Sequence, residues 1–187
     1  MLKGKNIILG VSGGIAAYKA CELVSRLKKL NANVDVIMTQ AATNFVAPLT
    51  FQSLSLNQVI VDTFSEPKYW EIEHIALAKK ADVFIVAPAT ANIIGKVANG
   101  IADDMLSTTI MATNAPVIFA PAMNTNMYLN KIVQRNIEKL KSLGYLFIEP
   151  AVGRLACGDI GQGKMEEPEL IEQRIIQLLI SKSDLAS

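Results

Sequence analysis

The sequence predicts an α/β fold: a doubly wound, mainly parallel sheet with helices on both of its faces. Three observations carry this. Short apolar runs alternate along the chain with stretches of helical period, the pattern of strands joined by crossover helices. The runs, such as Pro116-Val117-Ile118-Phe119, are apolar without interruption, as strands covered on both faces are. The length, 187 residues, suits one domain with one sizeable core, and no repeat, low-complexity segment or second domain is evident. With right-handed crossovers the outcome is a single Rossmann- or flavodoxin-like domain over residues 1–180, leaving 181–187 as a frayed tail or truncated linker.

Residues 6–11 form the first apolar run and read as a strand. Ser12-Gly13-Gly14 turns the chain into a helix over 15–30, whose charges fall on the far face. Residues 34–38 are the second strand, with Thr39 at its carboxyl end. One or two short helices occupy 41–56, divided by Pro48. An edge strand over 59–64 leads to a loop, 65–71, that carries Tyr69 and Trp70. A short helix at 72–80 precedes a strand over 82–87 that Pro88 is expected to stop. Helices follow at 92–98 and 103–113, joined by Asn99-Gly100. A central strand at 117–120, a helix at 131–143 closed by Gly144 and a strand at 145–149 come next. Residues 150–165 read as a glycine-punctuated loop, and a helix over 168–180, with Pro168 in its first turn, closes the domain.

Half of the residues are hydrophobic (51%) and the mean hydropathy is positive, which is high for a soluble monomer. The longest apolar stretch, 83–95, is broken by Pro88 and Asn92 and is too short to span a membrane. Self-association is therefore the expected use of the surplus. The net charge of +1, with acids and bases interspersed, suggests no nucleic-acid groove. Lys3, Lys5 and the following apolar residues imitate a signal peptide, but Gly13-Gly14 breaks the run and an amphipathic helix follows, so secretion is not expected. Cys21 shares a helical face with Ala17, Val24 and Leu27 and reads as core, leaving Cys157 free in a reducing cytoplasm.

The residues that can carry chemistry converge on one edge. In an open parallel sheet, ligands bind just outside the carboxyl ends of the strands. There stands Ala120-Pro121-Ala122-Met123-Asn124-Thr125-Asn126-Met127, whose amides suit a carboxylate or carbonyl. Gly10-Val11-Ser12-Gly13-Gly14-Ile15 brings glycines, a hydroxyl and a helix dipole to one place, as phosphate binding requires. The spacing is not that of a dinucleotide loop, and Thr39 replaces the acid expected at the end of the second strand, which favours a mononucleotide. A tight turn without ligand is the alternative. Pro88-Ala89-Thr90-Ala91-Asn92 offers space for a flat ring, or else a plain helix cap through Thr90. Asp103-Asp104 reads as a cap. His74, the single histidine, can serve as a general base or be incidental. The loop from Gly153 to Met165 holds Arg154, Cys157 and Asp159 among four glycines. It is either a lid over the binding edge or a surface connection with an idle thiol. No metal site is assigned.

Taken together, Ser12-Gly13-Gly14, His74, the 88–92 segment, Pro121-Ala122-Met123-Asn124 and Ala156-Cys157-Gly158-Asp159 resemble the homo-oligomeric FMN-containing cysteine decarboxylases, on the phosphopantothenoylcysteine decarboxylase branch. The likeness runs from about residue 5 to residue 180. It implies FMN contacts at Ser12, Gly13, Gly14, Thr39, Thr90, Ala91, Asn92 and Ala122. It implies Asn124 on the substrate carboxylate, His74 as base and Cys157 as proton donor, on a flap whose Arg154, Ala156 and Met165 touch substrate. Many members carry Thr where Ile93 stands here, which removes one hydroxyl contact to the flavin.

The implied reaction is redox-neutral decarboxylation of 4′-phosphopantothenoylcysteine to 4′-phosphopantetheine, in coenzyme A biosynthesis. Oxidation of the thiol-bearing carbon to a thioaldehyde lets CO₂ leave as an enethiolate forms, and the electrons are then returned. The resemblance also implies a cytoplasmic trimer or dodecamer with FMN at subunit contacts, and a synthetase partner, fused or separate; the chain is then a stand-alone enzyme or an excised domain. The nearest rivals are a peptidyl-cysteine decarboxylase, against which Ala156-Cys157-Gly158-Asp159 speaks, and a non-catalytic flavoprotein of the same fold. Retention of His74, Asn124 and Cys157 speaks against the latter, and against a prenyl-flavin synthase.

Overall fold

The computed structural model describes residues 2–61 and 73–185, with side chains to residue 181. Five strands, β1 (Asn6–Val11), β2 (Asn33–Met38), β3 (Val83–Ala89), β4 (Val117–Pro121) and β5 (Leu146–Phe147), form one parallel sheet in the order β2-β1-β3-β4-β5. This is the doubly wound, flavodoxin-like order. The helices are α1 (Ala17–Lys29), α2 (Pro48–Ser55), α3 (Glu73–Lys80), α4 (Ala91–Ala98), α5 (Met105–Ala112), α6 (Thr125–Tyr128), α7 (Lys131–Ser142) and α8 (Pro168–Leu185), with a 3-10 turn at Gln40–Asn44.

The unbroken apolar runs follow from burial on both sides. In β1, Ile7, Leu9 and Val11 pack with Leu23, Val24 and Leu27 of α1 and with Ile171 and Ile175 of α8. Ile8 points the other way, into a second core with Phe84, Ile93, Leu106, Phe119 and Ile137. All of these are 3% exposed or less. At about 1.5–3 kcal/mol per large apolar side chain, the two cores far outweigh the surface ion pairs. Cys21 is half-buried against the first core, and burial pushes its thiol above the ordinary range. Among the described residues no helix is long and apolar enough to cross a membrane.

Several expectations need correction. Pro88 does not stop the third strand, which runs on to Ala89. Its pairing with β4 shifts register between Val86 and Ala89, so the donor that proline lacks falls at an irregularity in the ladder. Residues 59–64 do not form an edge strand in the part described: Ile60 makes one isolated parallel bridge to Ile37, and 62–64, like the 65–71 loop, lie outside the described residues. The 150–165 segment is not a plain loop but an antiparallel hairpin, β6 (Ala151–Arg154) and β7 (Ile160–Lys164). The strand expected over 145–149 shrinks to the two residues of β5. The closing helix continues past Ile180 to Leu185, and α6 has no counterpart in the sequence reading.

The topology sets the site. The chain leaves β1 toward β2 on one side and adds β3 on the other. The crossovers diverge there, and a crevice opens outside the carboxyl ends of these strands.

Candidate active site

A cleft of about 1070 Å³ occupies that crevice. Ser12, Gly13 and Gly14 enter it from the β1–α1 turn, Thr39 from the end of β2, Thr90, Ala91 and Asn92 from the β3–α4 turn, and Ala122 and Asn124 from the segment after β4. Arg154, Ala156, Cys157 and Met165 enter from the hairpin and its exit. The structure thus gathers every expected cofactor and substrate residue on one cleft. His74 alone does not line it: it sits half-buried in the first turn of α3, which packs against α5.

The β1–α1 turn is built by close approach. A Cβ at Gly13 would come within 2.6 Å of the Ala41 Cβ, and one at Gly14 within 3.3 Å of Thr90 Cγ2. At the start of α1, Ala16 supplies no side-chain cap and the first turn holds no acid. The helix start therefore brings its positive dipole end to the cleft with no carboxylate or side-chain cap against it, the arrangement that a phosphate satisfies. Ser12, 2% exposed, is engaged locally. Its Oγ donates to the Pro88 carbonyl at 2.7 Å, accepts from Thr90 N at 3.0 Å and lies 3.1 Å from the Thr90 hydroxyl. It staples two cleft-lining turns together. Thr90 occupies the N-cap position of α4 without capping it, whereas Thr39 accepts from Ala42 N and starts the 3-10 turn. Ile93 is 1% exposed, in the second core, and does not line the cleft.

Asn124 divides its amide. Oδ1 accepts from Asn126 N at 2.8 Å to cap α6, and Nδ2 donates to Cys157 Sγ at 3.6 Å. The thiol in turn donates to Asp159 Oδ2 at 3.4 Å. The hairpin is held over the cleft by backbone contact: Met123 N donates to the Gly163 carbonyl at 2.9 Å. A Cβ at Gly163 (φ +134°) would collide with the Met123 carbonyl, and one at Gly161 with the Thr125 hydroxyl. Glycine here is a requirement of close approach.

Sequence reasoning missed several lining residues. Lys19, one turn beyond Ile15 on α1, reaches the Glu167 carboxylate at 2.9 and 3.0 Å and the Met165 carbonyl at 3.4 Å. Lys164 meets the same carboxylate at 3.0 Å. The hydrogen bonds from Lys19 and then Lys164 hold Glu167 below the ordinary carboxylate range. These exposed pairs contribute about 0–1 kcal/mol each, so they orient the hairpin's exit more than they stabilise it. Lys96 bridges Asp103 at 2.7 Å and Asp104 at 2.8 Å, and Asp104 with Ser107 forms the capping box of α5, as expected of that pair. Met127, the end of the stretch that the sequence places at this edge, also lines the cleft, three residues from Asn124 on a helical turn.

The chain matches the flavoprotein family model over residues 1–180. It is 59% identical over 171 residues to the coenzyme A biosynthesis bifunctional protein CoaBC of Bacillus subtilis, covering 91% of this chain and 42% of that protein. The chain thus spans less than half the length of such bifunctional relatives. It is 48% identical over 177 residues to a probable phosphopantothenoylcysteine decarboxylase of Streptococcus mutans, covering 94% of this chain and 99% of that one. Among solved structures, a cysteine-to-serine mutant of a phosphopantothenoylcysteine decarboxylase complexed with pantothenoylaminoethenethiol superimposes with a TM-score of 0.82 at 33% identity, covering 93% of this chain and 97% of that one.

Proposed function

Because the chain belongs to the flavoprotein family, we propose that it decarboxylates 4′-phosphopantothenoylcysteine to 4′-phosphopantetheine with FMN as cofactor. The observation that carries this is the approach of Asn124 and Cys157 across a cleft whose other wall is an uncapped helix start behind Gly13-Gly14. The residues fit the cofactor: the cradle takes the phosphate, and the small residues Ala91 and Ala122 leave space beside Thr90 and Asn92 for a flat ring. The cleft is large enough for the nucleotide and a substrate together. Bound flavin supplies a reversible two-electron sink that makes loss of CO₂ feasible.

The chain's residues position and move protons. The Asn124 amide donates through Nδ2 to the substrate carboxylate, holding it without charge. The flap closes over the substrate through Arg154, Ala156 and Met165, excluding water from the reacting carbons. Cys157 Sγ–H gives the proton that the decarboxylated carbon requires.

His74 completes the site from a neighbouring copy. Its place on α3, off the cleft of its own chain, supports a homo-oligomer, trimeric or dodecameric, with the site at subunit contacts. Exposed Ile15, Tyr18 and Met127 at the cleft rim provide apolar surface for such contacts. The enzyme works in the cytoplasm, beside or fused to the synthetase activity that makes its substrate.

The test is a CO₂-release assay on purified FMN-loaded protein, with 4′-phosphopantothenoylcysteine and a cysteine-ended peptide as alternative substrates. Turnover of the first alone is expected; turnover of the peptide alone transfers the site to peptide chemistry, and turnover of neither removes the enzyme reading.

A further inference from the structure

Asp159 has no part in the chemistry described so far, yet it is the carboxylate the fold sets against the thiol. Among the described residues Cys157 Sγ has two hydrogen-bond partners, Asn124 Nδ2 at 3.6 Å and Asp159 Oδ2 at 3.4 Å. The amide donates to sulfur, so the thiol's own hydrogen is left to the carboxylate. The tip of the hairpin makes this contact. Leu155 N donates to the Asp159 carbonyl at 2.8 Å and Gly158 N to the Leu155 carbonyl at 2.9 Å, with Gly158 at φ +94°. That turn sets side chains two residues apart next to each other. Cys157 and Asp159 are both exposed, so the carboxylate faces water while the sulfur faces Asn124.

Stoichiometry gives the pair a task. A carboxylate that leaves as CO₂ is replaced on carbon by a proton, so each turnover consumes one proton from solvent. If Cys157 delivers it, as the proposed function holds, the residue ends each cycle as a thiolate and must be recharged.

Resting on that reading, we infer that Asp159 is the proton relay and positioning residue for Cys157. Its carboxylate, protonated by solvent hydronium with release of water, passes that proton to the thiolate: the S–H bond forms as the carboxyl O–H bond breaks. The restored carboxylate then accepts the thiol hydrogen and keeps the group aimed from the hairpin.

The experiment uses FMN-loaded protein and 4′-phosphopantothenoylcysteine. Asp159→Asn is expected to retain flavin and to release CO₂ in its first turnover at the parent rate. Its steady-state turnover should fall about tenfold to a hundredfold, with part of the product escaping as the unsaturated thiol. Asp159→Glu should recover most of the loss. Acetate or formate should accelerate Asp159→Ala and leave Cys157→Ser unmoved, a response that a purely structural role would not give. Parent-like turnover and product in Asp159→Asn overturn the relay, as does an Asp159→Ala protein indifferent to added carboxylic acid. If Cys157→Ser forms the saturated product at the parent rate, the donor assignment itself has failed, and with it the relay.

Discussion

Asn124 shows how one side chain can be committed twice. Its Oδ1 is held by Asn126 N at the start of α6, which fixes the rotamer and leaves Nδ2 facing Cys157. Replacement by Asp keeps the capping acceptor, since Asp caps as well as Asn, but substitutes an anion for the donor. Asn124→Asp is therefore expected to fold and hold flavin normally while CO₂ release falls about a hundredfold, the usual cost of losing one positioned donor. Flavin absorbance and CO₂ release measured on the same sample separate the two effects; a parallel loss of flavin contradicts this assignment. Ser12 is the contrasting case. The sequence places a hydroxyl near a phosphate, but the structure engages that hydroxyl with Pro88 and Thr90, a contact across 76 residues that no local pattern encodes.

At the scale of elements, α4 and α5 are joined by Lys96 with Asp103 and Asp104 at the cleft's edge. Burial pushes the Asp104 carboxyl up, but the hydrogen bonds from Lys96 and Ser107 and the nearby ammonium charge outweigh it, and the group is held below its ordinary value. A carboxyl depressed in the folded state contributes stability above its unfolded pKa, about 4, and the contribution is lost as pH falls through the folded value. Asp104→Asn is expected to flatten the fall in stability below about pH 5, as read from denaturant midpoints across pH. An unchanged slope contradicts the shift.

The same scale shows where the sequence is legible. The strand-forming runs and α1 follow directly from burial on two faces, so periodicity reveals them. The β6–β7 hairpin does not, because Gly153, Gly158, Gly161 and Gly163 remove the local signal for a strand. Its register depends on docking against Met123 and Thr125, a contact of long sequence separation. The cleft-lining residues are legible because they follow strand ends, whose place in a parallel sheet is fixed by topology. Lys19 is hidden because it lies in a helix that otherwise reads as packing.

For the whole molecule, the position of His74 bears on assembly. If the base comes from one copy and the proton donor from the next, inactive chains complement each other. Co-assembled His74→Asn and Cys157→Ser subunits are expected to regain about a quarter of parent activity, the share of sites that receive both intact groups in a randomly mixed cyclic assembly. Mixtures no more active than their components contradict a shared site.

In the proposed reaction, electrons leave the substrate and come back, so that decarboxylation needs no external oxidant. The direct measurement is anaerobic turnover with 4′-phosphopantothenoylcysteine in excess over flavin, following CO₂ and flavin absorbance together. Many CO₂ are expected per flavin, with the oxidised spectrum restored when substrate is exhausted. One CO₂ per flavin followed by a permanently bleached cofactor contradicts it.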